Sequence, residues 1–279
     1  MPGVEHRIHR VTPSGHPARL LQITDTHLGE RPGTPLLGVD TDRSLRAVLE
    51  QSLAAHTGLD ALLATGDLAD HGSLPAYRRL REYLDPTGVP HFWLPGNHDD
   101  RALMASVDPA GELMVNDLRL GRWQVILLDS QVPGEIGGQL GEAQLDLLRR
   151  ALEAGRREDL HALICLHHHP VPIGCDWLDQ QQVSDADALF ALLAGFPLAR
   201  ALLWGHVHQP LDRDYRGLRL LATPSTCVQF APGSPNFQAD TLPPGYRWLH
   251  LYDDGRLETA VERVHGVHFS VDLQQKGYL

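Results

Sequence analysis

The side chains best suited to chemistry stand in short polar clusters, each directly after an apolar run. The clearest cluster is Leu-Pro-Gly-Asn-His-Asp at 94–99, which sets an amide, an imidazole and a carboxylate side by side. Four more apolar runs end in comparable clusters, Asp-Thr-His (25–27), Gly-Asp-Leu-Ala-Asp (66–70), His-His-His-Pro (167–170) and Gly-His-Val-His (205–208). Because ligands of α/β sheets bind at the carboxyl ends of the strands, the sequence predicts one site built from all five clusters.

Together the clusters offer the donor atoms of a metal centre. The seven candidate ligands are Asp25, His27, Asp67, Asn97, His167, His206 and His208. Carboxylate, amide and imidazole donors without thiolate favour Mn²⁺, Fe²⁺ or Zn²⁺ over Ca²⁺ or Mg²⁺. Asp67 has two oxygens and can bridge two ions. Alternate residues of a strand share a face, so we expect Asp25 with His27 to grip one ion, and the two histidines at 206 and 208 to do the same.

Two divalent cations would outweigh the charge of two carboxylates, so the predicted pocket attracts phosphate. The chain as a whole is acidic, with a net charge of −11 over 279 residues, which argues against a nucleic acid polymer as partner. No apolar run approaches the roughly 20 residues of a membrane span. The polar first ten residues do not resemble a signal peptide. The three cysteines form no CxxC pair and are expected to be unpaired, so we expect a cytoplasmic protein.

The clusters need a scaffold, and the sequence pattern predicts its elements. Strands are predicted at 18–24, 61–66, 91–95, 161–166 and 200–204, and helices at 42–56, 73–84, 99–107, 141–154 and 185–193. Antiparallel hairpins are predicted at 112–118 with 123–129, at 211–215 with 218–222, and at 247–252 with 257–264. Residues 1–17 are interpreted as a lead-in strand or arm, and 232–245 as a long ordered loop over the site.

Alternating α/β units that give way to hairpins indicate two mixed sheets packed face to face, with helices outside. The predicted fold is therefore α/β, a four-layer α/β/β/α sandwich. We expect a single domain over 1–279, with 231–279 as a C-terminal loop and hairpin extension.

In their order along the chain, the five clusters resemble the calcineurin-like metallophosphoesterases. The matching motifs are Asp-x-His, Gly-Asp-x-x-Asp, Gly-Asn-His-Asp, a His-Pro segment and Gly-His-x-His, which together extend from Asp25 to His208. A closer resemblance, to the class III cyclic nucleotide phosphodiesterases, rests on the stretches 167–175, 177–179, 205–209 and 221–230. The resemblance implies the metallo-dependent phosphatase fold and two divalent ions, Fe²⁺ or Mn²⁺ with Zn²⁺ as an alternative. It is also compatible with a homodimer.

The resemblance also implies a role for each residue. Metal 1 would take Asp25, His27, Asp67 and His208. Metal 2 would take Asp67, Asn97, His167 and His206. The bound nucleotide phosphate would be lined by His27, Asp67, Asn97, His98 and His208. Register with the family selects His167 among the three adjacent histidines, with His168 as the alternative.

The reaction implied is hydrolysis of 3′,5′-cyclic AMP to 5′-AMP. Two ions about 3.5–4 Å apart would lower the pKa of a shared water and supply hydroxide for in-line attack on phosphorus. His98 would bind no metal and would protonate the leaving ribose 3′-oxygen, held by a neighbouring carboxylate such as Asp70. The alternative is a broader phosphodiesterase acting on 2′,3′-cyclic nucleotides or glycerophosphodiesters. A catalytically idle scaffold is disfavoured because all seven ligands and His98 are present.

Overall fold

A computed structural model of the chain describes residues 4–277, so the ends of the predicted arm and of the predicted domain, at 1–3 and 278–279, lie outside it. The strands are β1 (Ile8–Val11), β2 (Ala18–Ile23), β3 (Pro35–Leu36), β4 (Val39–Asp40), β5 (Ala61–Thr65), β6 (His91–Leu94), β7 (Asp117–Leu120), β8 (Trp123–Leu127), β9 (His161–Cys165), β10 (Ala199–Trp204), β11 (Leu211–Tyr215), β12 (Leu218–Ala222), β13 (Gln229–Phe230), β14 (Ala239–Asp240), β15 (Gly245–Leu251) and β16 (Leu257–Arg263). The helices are α1 (Thr41–Ala55), α2 (Leu74–Leu84), α3 (Arg101–Ser106), α4 (Gly141–Arg157) and α5 (Ala186–Leu193), with 3₁₀ turns at Asp85–Thr87 and Asp179–Gln181.

Two large sheets contain most of these strands, and both are mixed in direction. The seven-stranded sheet has the order β1-β7-β8-β9-β10-β12-β11, and its central strands from β8 to β12 run parallel. The five-stranded sheet has the order β16-β15-β2-β5-β6, with β2, β5 and β6 parallel and β15 antiparallel to both neighbours. Five of the parallel strands, β2, β5, β6, β9 and β10, lead into the polar clusters, which places those clusters at the carboxyl ends of the strands.

The apolar side chains form three layers of core that define the stacking order. On the five-stranded sheet, Ile23 packs with Leu45 of α1 and Leu80 of α2. On the seven-stranded sheet, the outward-facing side chains pack with α4 and α5. Between the sheets, Leu20 and Leu203 belong to one shared leucine-rich layer. The helices are therefore outside and the sheets inside, and the predicted four-layer α/β/β/α sandwich is confirmed.

Two details differ from the sequence-based prediction. The strand predicted at 112–118 begins only at Asp117, because the carboxylate of Asp108 accepts hydrogen bonds from the backbone N–H groups of Glu112 (2.9 Å) and Leu113 (2.8 Å) and holds that segment in a loop. The predicted loop at 232–245 contains β14, which pairs with β13. The three cysteines are buried and unpaired, as expected. Of the helices that the structure describes, not one has the length and hydrophobicity that crossing a bilayer requires.

Polar side chains also join the two sheets. Gln22 of β2 donates from Nε2 to Thr65 Oγ1 (2.8 Å) and to the carbonyl of Trp204 (3.3 Å), which belongs to the other sheet. Arg247 of β15 donates to the carbonyls of Ala222 (2.8 Å) and Leu211 (3.1 Å), likewise in the other sheet. The hairpin formed by β15 and β16 is thus bonded to β2 and to the facing sheet. The single domain with a C-terminal extension stays a prediction.

Candidate metal centre

The five polar clusters follow β2, β5, β6, β9 and β10, so both sheets contribute to one site. Backbone hydrogen bonds join the cluster after β2 to the one after β5, from Asp25 N–H to the Gly66 carbonyl (2.9 Å) and from His27 N–H to the Asp67 carbonyl (2.9 Å). The backbone N–H of His206 lies 3.1 Å from both carboxylate oxygens of Asp25 and so links the two sheets. The clusters therefore meet, as the sequence predicts.

Tight turns determine where the side chains of the candidate ligands point, rather than the alternation of side chains along a strand. Five of the seven candidate ligands have φ in the left-handed region, namely Asp25 (54°), His27 (43°), Asp67 (49°), His206 (63°) and His208 (49°). Non-glycine residues adopt this conformation rarely, and strained backbone is typical of functional sites. The strands end earlier, at Ile23 and Trp204. The expectation that the two residues of each pair lie on one face of a strand is therefore wrong, because both residues lie in the turn after the strand.

Glycines in the motifs permit the close approach of these turns. A Cβ atom on Gly66, whose φ is 95°, would lie 2.3 Å from Nδ1 of His167. A Cβ on Gly96 would lie 2.2 Å from Oδ1 of Asp67. A larger residue at either position would push a candidate ligand away from the centre.

The donor atoms of the described residues form four overlapping groups, two of which share Asp25. Those of Asp25, His27 and His208 lie within 4.8 Å of one another, and so do those of Asp25, Asp67 and His167. In the first group, His208 Nε2 is 3.2 Å from Asp25 Oδ1. In the second, His167 Nε2 is 3.1 Å from Asp67 Oδ2, and that same oxygen is 3.8 Å from His27 Nε2. Asp67 thus lies between the groups, where a bridging carboxylate would stand.

His206 and His208 point to different groups. The ring of His206 is 5.2 Å from that of His167, whereas the ring of His208 is 5.3 Å from that of His27. The expectation from spacing alone that these two histidines hold the same ion is therefore wrong. Their divergence agrees instead with the division implied by the family resemblance.

Hydrogen bonding distinguishes His167 from its neighbour His168. His168 is engaged on both ring nitrogens, by Ser130 Oγ (2.8 Å) at Nδ1 and by the Ile136 carbonyl (3.0 Å) at Nε2. His167 donates only from Nδ1, to the Thr65 carbonyl (2.9 Å), which leaves Nε2 facing the carboxylates. A ligating histidine usually donates its other ring N–H to a carbonyl or carboxylate. The geometry favours His167.

The donor set fits divalent ions, because several buried lone pairs lack a hydrogen-bond partner. Within residues 4–277, the buried atoms without such a partner include Oδ1 of Asn97 and Nε2 of His167, His206 and His208. Buried polar atoms are normally hydrogen-bonded, so a convergent group of exceptions needs another partner. A pair of cations among these atoms would supply it.

The charges and burial around the candidate ligands shift their pKa values, and for Asp67 and His206 these shifts favour the form that binds a cation. Burial alone would raise the pKa of Asp67, but His167 and His98 hold it well below its usual range. Burial, aided by the neighbouring His168, lowers the pKa of His206, which is therefore neutral. Burial opposes the charging of His167, yet Asp67 and Asp25 raise its pKa to about 9.

His98 lies beside the candidate ligands with its ring held in place. Its backbone N–H donates to Asp67 Oδ1 (2.9 Å), and its Nδ1–H donates to the main-chain carbonyl of Asp70 (2.6 Å). Asp70 thus holds Nδ1 of His98 through its main-chain carbonyl, while its carboxylate lies 3.5 Å from Nδ1 of His27. A carbonyl fixes the tautomer equally well, since Nδ1 must carry the proton and Nε2 faces away from it.

The sequence-based interpretation missed a glutamine that supports this loop. Gln131, after β8, donates from Nε2 to the carbonyls of Gly96 (2.8 Å) and Asp99 (2.5 Å). These two carbonyls flank Asn97 and His98. No sequence signal identifies Gln131, because its partners are main-chain atoms and lie more than thirty residues away.

Comparison with known proteins agrees with this geometry. Residues 18–210 match the calcineurin-like phosphoesterase family. The chain belongs to this family. The resemblance that the motifs carry is thereby confirmed, and divalent-metal binding agrees with the clustered aspartates and histidines of this calcineurin-like phosphoesterase.

Two curated relatives extend the likeness over nearly the full length. The 3′,5′-cyclic adenosine monophosphate phosphodiesterase CpdA of Pseudomonas aeruginosa is 48% identical over 271 residues, covering 97% of this chain and 99% of the relative. The protein of the same name from Escherichia coli K12 is 46% identical, covering 93% and 94%. Among solved structures, a dimetal phosphatase from Danio rerio has a TM-score of 0.64 at 15% identity, covering 90% of this chain and 100% of that one. This last likeness concerns the fold alone.

Proposed function

We propose that this calcineurin-like phosphoesterase hydrolyses 3′,5′-cyclic AMP to 5′-AMP at the centre described above. The observation that carries the proposal is that six of the seven candidate ligands, all except Asn97, fall with His98 into overlapping groups of close donor atoms. Within them Asp67 accepts from the His98 backbone N–H and lies 3.1 Å from His167. Relatives named as cyclic AMP phosphodiesterases, 46–48% identical over more than nine-tenths of the chain, support the choice of substrate.

The ligand assignment is the one that the family resemblance implies. Metal 1 would be held by Asp25, His27, Asp67 and His208, and metal 2 by Asp67, Asn97, His167 and His206. The proximity of Asp25, His27 and His208, and of Asp67 and His167, supports it. The mixture of carboxylate and imidazole donors suits Fe²⁺ or Mn²⁺. When bound, such ions lower the pKa of a water and offset the negative charge of the phosphate.

The chain's own residues bind the phosphate and supply the proton for the leaving group. The phosphate lies against His27, Asp67, Asn97, His98 and His208. The amide of Asn97 can donate from Nδ2 to a phosphoryl oxygen while its Oδ1 faces a cation. His98 donates its Nδ1 proton to the Asp70 carbonyl, so the doubly protonated imidazolium form of His98 delivers its Nε2 proton to the ribose 3′-oxygen and is left neutral. A departing alkoxide is strongly basic and needs that proton.

A cleft beside His98 has room for the nucleoside. It has a volume of about 670 Å³ and runs between the loop at Gly29–Thr34 and the loop at Asp70–Pro75. Asp70, whose carbonyl holds His98, is part of its wall. Since the leaving oxygen belongs to the ribose, the nucleoside must lie on the His98 side of the phosphate, next to this cleft.

The deciding experiment is hydrolysis by metal-stripped protein that is reloaded with Mn²⁺ or Fe²⁺. We expect 3′,5′-cyclic AMP to yield 5′-AMP with a kcat/KM at least comparable to those for 2′,3′-cyclic AMP and bis(p-nitrophenyl) phosphate. An Asp67→Asn variant prepared in parallel should be inactive on all three, which excludes a contaminating enzyme. Turnover of only the activated diester or the 2′,3′ isomer would overturn the substrate and favour the broader phosphodiesterase.

The remaining features of the proposal are a single catalytic domain, a cytoplasmic location and a homodimer, with no nucleic acid polymer or membrane as partner. Light scattering of the purified protein tests the dimer, because it reads the mass of the particle directly. A mass of one chain at micromolar concentration would contradict it.

A further inference from the structure

The metal ligand His208 lies against an aromatic ring that comes from outside the segment matched by the family. The ring of Phe230, in β13, is stacked on the imidazole of His208, with centroids 4.1 Å apart and planes inclined by only 9°. Phe230 is buried, with 1% of its surface exposed. The matched segment ends at residue 210, so Phe230 lies outside it, although it is the last residue of the stretch 221–230 that carries the closer resemblance described above.

The position of Phe230 is itself determined by two further aromatic rings. Trp177 meets it edge-on at 5.1 Å and 73°, and Phe237 does so at 5.5 Å and 68°. Trp177 is anchored in turn, since its indole N–H lies 3.3 Å from Ser234 Oγ as a donor. A ring packed in this way has little freedom to tilt, so the plane it offers to His208 is well defined.

The same segment holds the edge of the His208 ring. Nδ1 of His208 donates to the carbonyl of Val228 (2.8 Å), and Ser225 Oγ donates to the carbonyl of Asp25 (2.7 Å). The hydrogen bond to Val228 fixes the tautomer and directs Nε2 towards Asp25. With this one hydrogen bond, the His208 ring can still tilt out of its plane. The stacked face of Phe230 removes that remaining motion.

We propose that Phe230 is a positioning residue for the metal ligand His208, and that it strengthens binding of the ion shared by His208, Asp25 and His27. The inference rests on the proposed metal centre. Groups that orient a ligating histidine typically change metal affinity about 10–100-fold when they are lost. A leucine at 230 would fill much of the volume but would offer no flat face.

The test is calorimetric titration of Mn²⁺ into metal-stripped full-length protein, comparing wild type, Phe230→Leu and Phe190→Leu. Phe190 of α5 is a matched control, because it is also buried and edge-packed, on Tyr215 at 5.1 Å. We expect Phe230→Leu to weaken one of two Mn²⁺ sites by about 10–100-fold and to leave the other unchanged. Phe190→Leu should keep both affinities, although thermal unfolding of the metal-free protein should fall in both variants.

Rescue by a conservative variant separates positioning from packing. Phe230→Tyr keeps the aromatic plane and should retain wild-type affinity at both sites. If Phe230→Leu does not fold, Phe230→Met takes its place, since it too lacks a plane. Equal Mn²⁺ affinity in the wild type and the non-aromatic variant would overturn the proposal, and so would equal losses in the 190 and 230 variants or a loss in Phe230→Tyr. Failure of the wild type to bind two ions would instead contradict the metal centre itself.

Discussion

At the scale of single residues, each functional side chain is defined by what occupies its other atoms. His98 has its Nδ1 on a carbonyl, and His167 and His208 do the same with the carbonyls of Thr65 and Val228. In all three imidazoles Nε2 is therefore the nitrogen left for another partner. Their surroundings differ, because Nε2 of His167 and His208 faces carboxylates, whereas His98 is held by Asp70, a residue that lines the cleft between residues 29–34 and 70–75.

The acid role of His98 makes a prediction that depends on the leaving group. We expect His98→Ala to retain two metal ions but to lose rate by about 10²–10⁴-fold on 3′,5′-cyclic AMP. The loss on bis(p-nitrophenyl) phosphate should be much smaller, because nitrophenoxide leaves without a proton. Steady-state rates and metal analysis on both proteins check this. Equal losses on the two substrates would remove the acid role, and His268→Ala, at an exposed histidine outside the cleft, provides a control.

At the scale of elements, the loops after the strands determine how well these residues are held. Asp99 shows how: it accepts hydrogen bonds from the backbone N–H groups of Ala69 (3.0 Å) and Gly96 (2.9 Å) and so ties together the loops after β5 and β6. The loop after β8 adds Gln131 from the other sheet. The loops after three strands, β5, β6 and β8, thereby hold Asn97 and His98 in position.

Removal of the Gln131 support should therefore affect chemistry without touching substrate. We expect Gln131→Ala to lower kcat on 3′,5′-cyclic AMP by about 10–100-fold, because small displacements of reacting groups are costly. The reduction should be smaller on bis(p-nitrophenyl) phosphate, as for His98→Ala. Gln139→Ala, an exposed glutamine of the same loop, should leave kcat unchanged. Unaltered kcat in Gln131→Ala would show that the loop after β6 holds its shape alone.

Strand β6 carries a buried histidine that links stability to pH. His91 Nδ1 accepts from the indole N–H of Trp93 (3.0 Å), because an indole can only donate, and Nε2 then donates to Asp85 (2.8 Å). Burial lowers the pKa of His91, and Asp85 offsets this only in part. The unfolded chain, with a pKa of about 6.5, binds the proton more readily. The stabilisation is therefore present above that pH and is lost as the pH falls through the folded pKa.

A His91→Gln variant tests this linkage, since glutamine can accept from Trp93 but does not titrate. We expect the free energy of unfolding of the wild type to fall more steeply between pH 7 and pH 5 than that of the variant. Urea unfolding of the metal-loaded proteins at several pH values measures both slopes, and their difference isolates His91. Parallel slopes would mean that His91 takes up its proton over the same pH range in the folded and unfolded states, which would contradict a lowered pKa.

At the scale of the whole molecule, the site exists only where two sheets meet. Asp25, Asp67 and Asn97 come from the five-stranded sheet, while His167, His206 and His208 come from the other. Polar links between the sheets keep these two halves in register. Arg247 is the largest of them: it is buried, burial lowers its pKa to about 10, and its partners include the hydroxyls of Thr223 and Thr259 and two carbonyls of the facing sheet.

Loss of this link should destabilise the protein more than loss of a surface arginine. We expect Arg247→Met to lower the free energy of unfolding by about 2–4 kcal/mol, because it leaves buried carbonyls unsatisfied. Arg256→Ala removes an exposed arginine that pairs with Glu258 on the same hairpin, and should cost less than about 1 kcal/mol. Chemical denaturation measures both. Similar small losses would show that water replaces the guanidinium between the sheets.

The sequence by itself determined the ligand types, their order and their place after apolar strands. Those features are local, since each cluster lies within a few residues of its strand, and hydrophobic periodicity gives the layers directly. The fold class and the family followed from them. What the sequence could not determine was how each side chain is aimed, because left-handed turns at Asp25 and Asp67 and the divergence of His206 from His208 depend on which loops meet.

Only the tertiary structure decided the supports of the ligands. The carbonyls of Thr65, Asp70 and Val228 are main-chain groups, which every residue has. No sequence pattern can therefore predict that they accept hydrogen bonds from the histidines. Gln131 and Phe230 are common residue types far along the chain from the atoms they hold. Their roles arise because packing two sheets face to face brings distant loops to one edge. Short local motifs thus determine which chemical groups are present, while the packing of the two sheets determines how those groups are arranged in space.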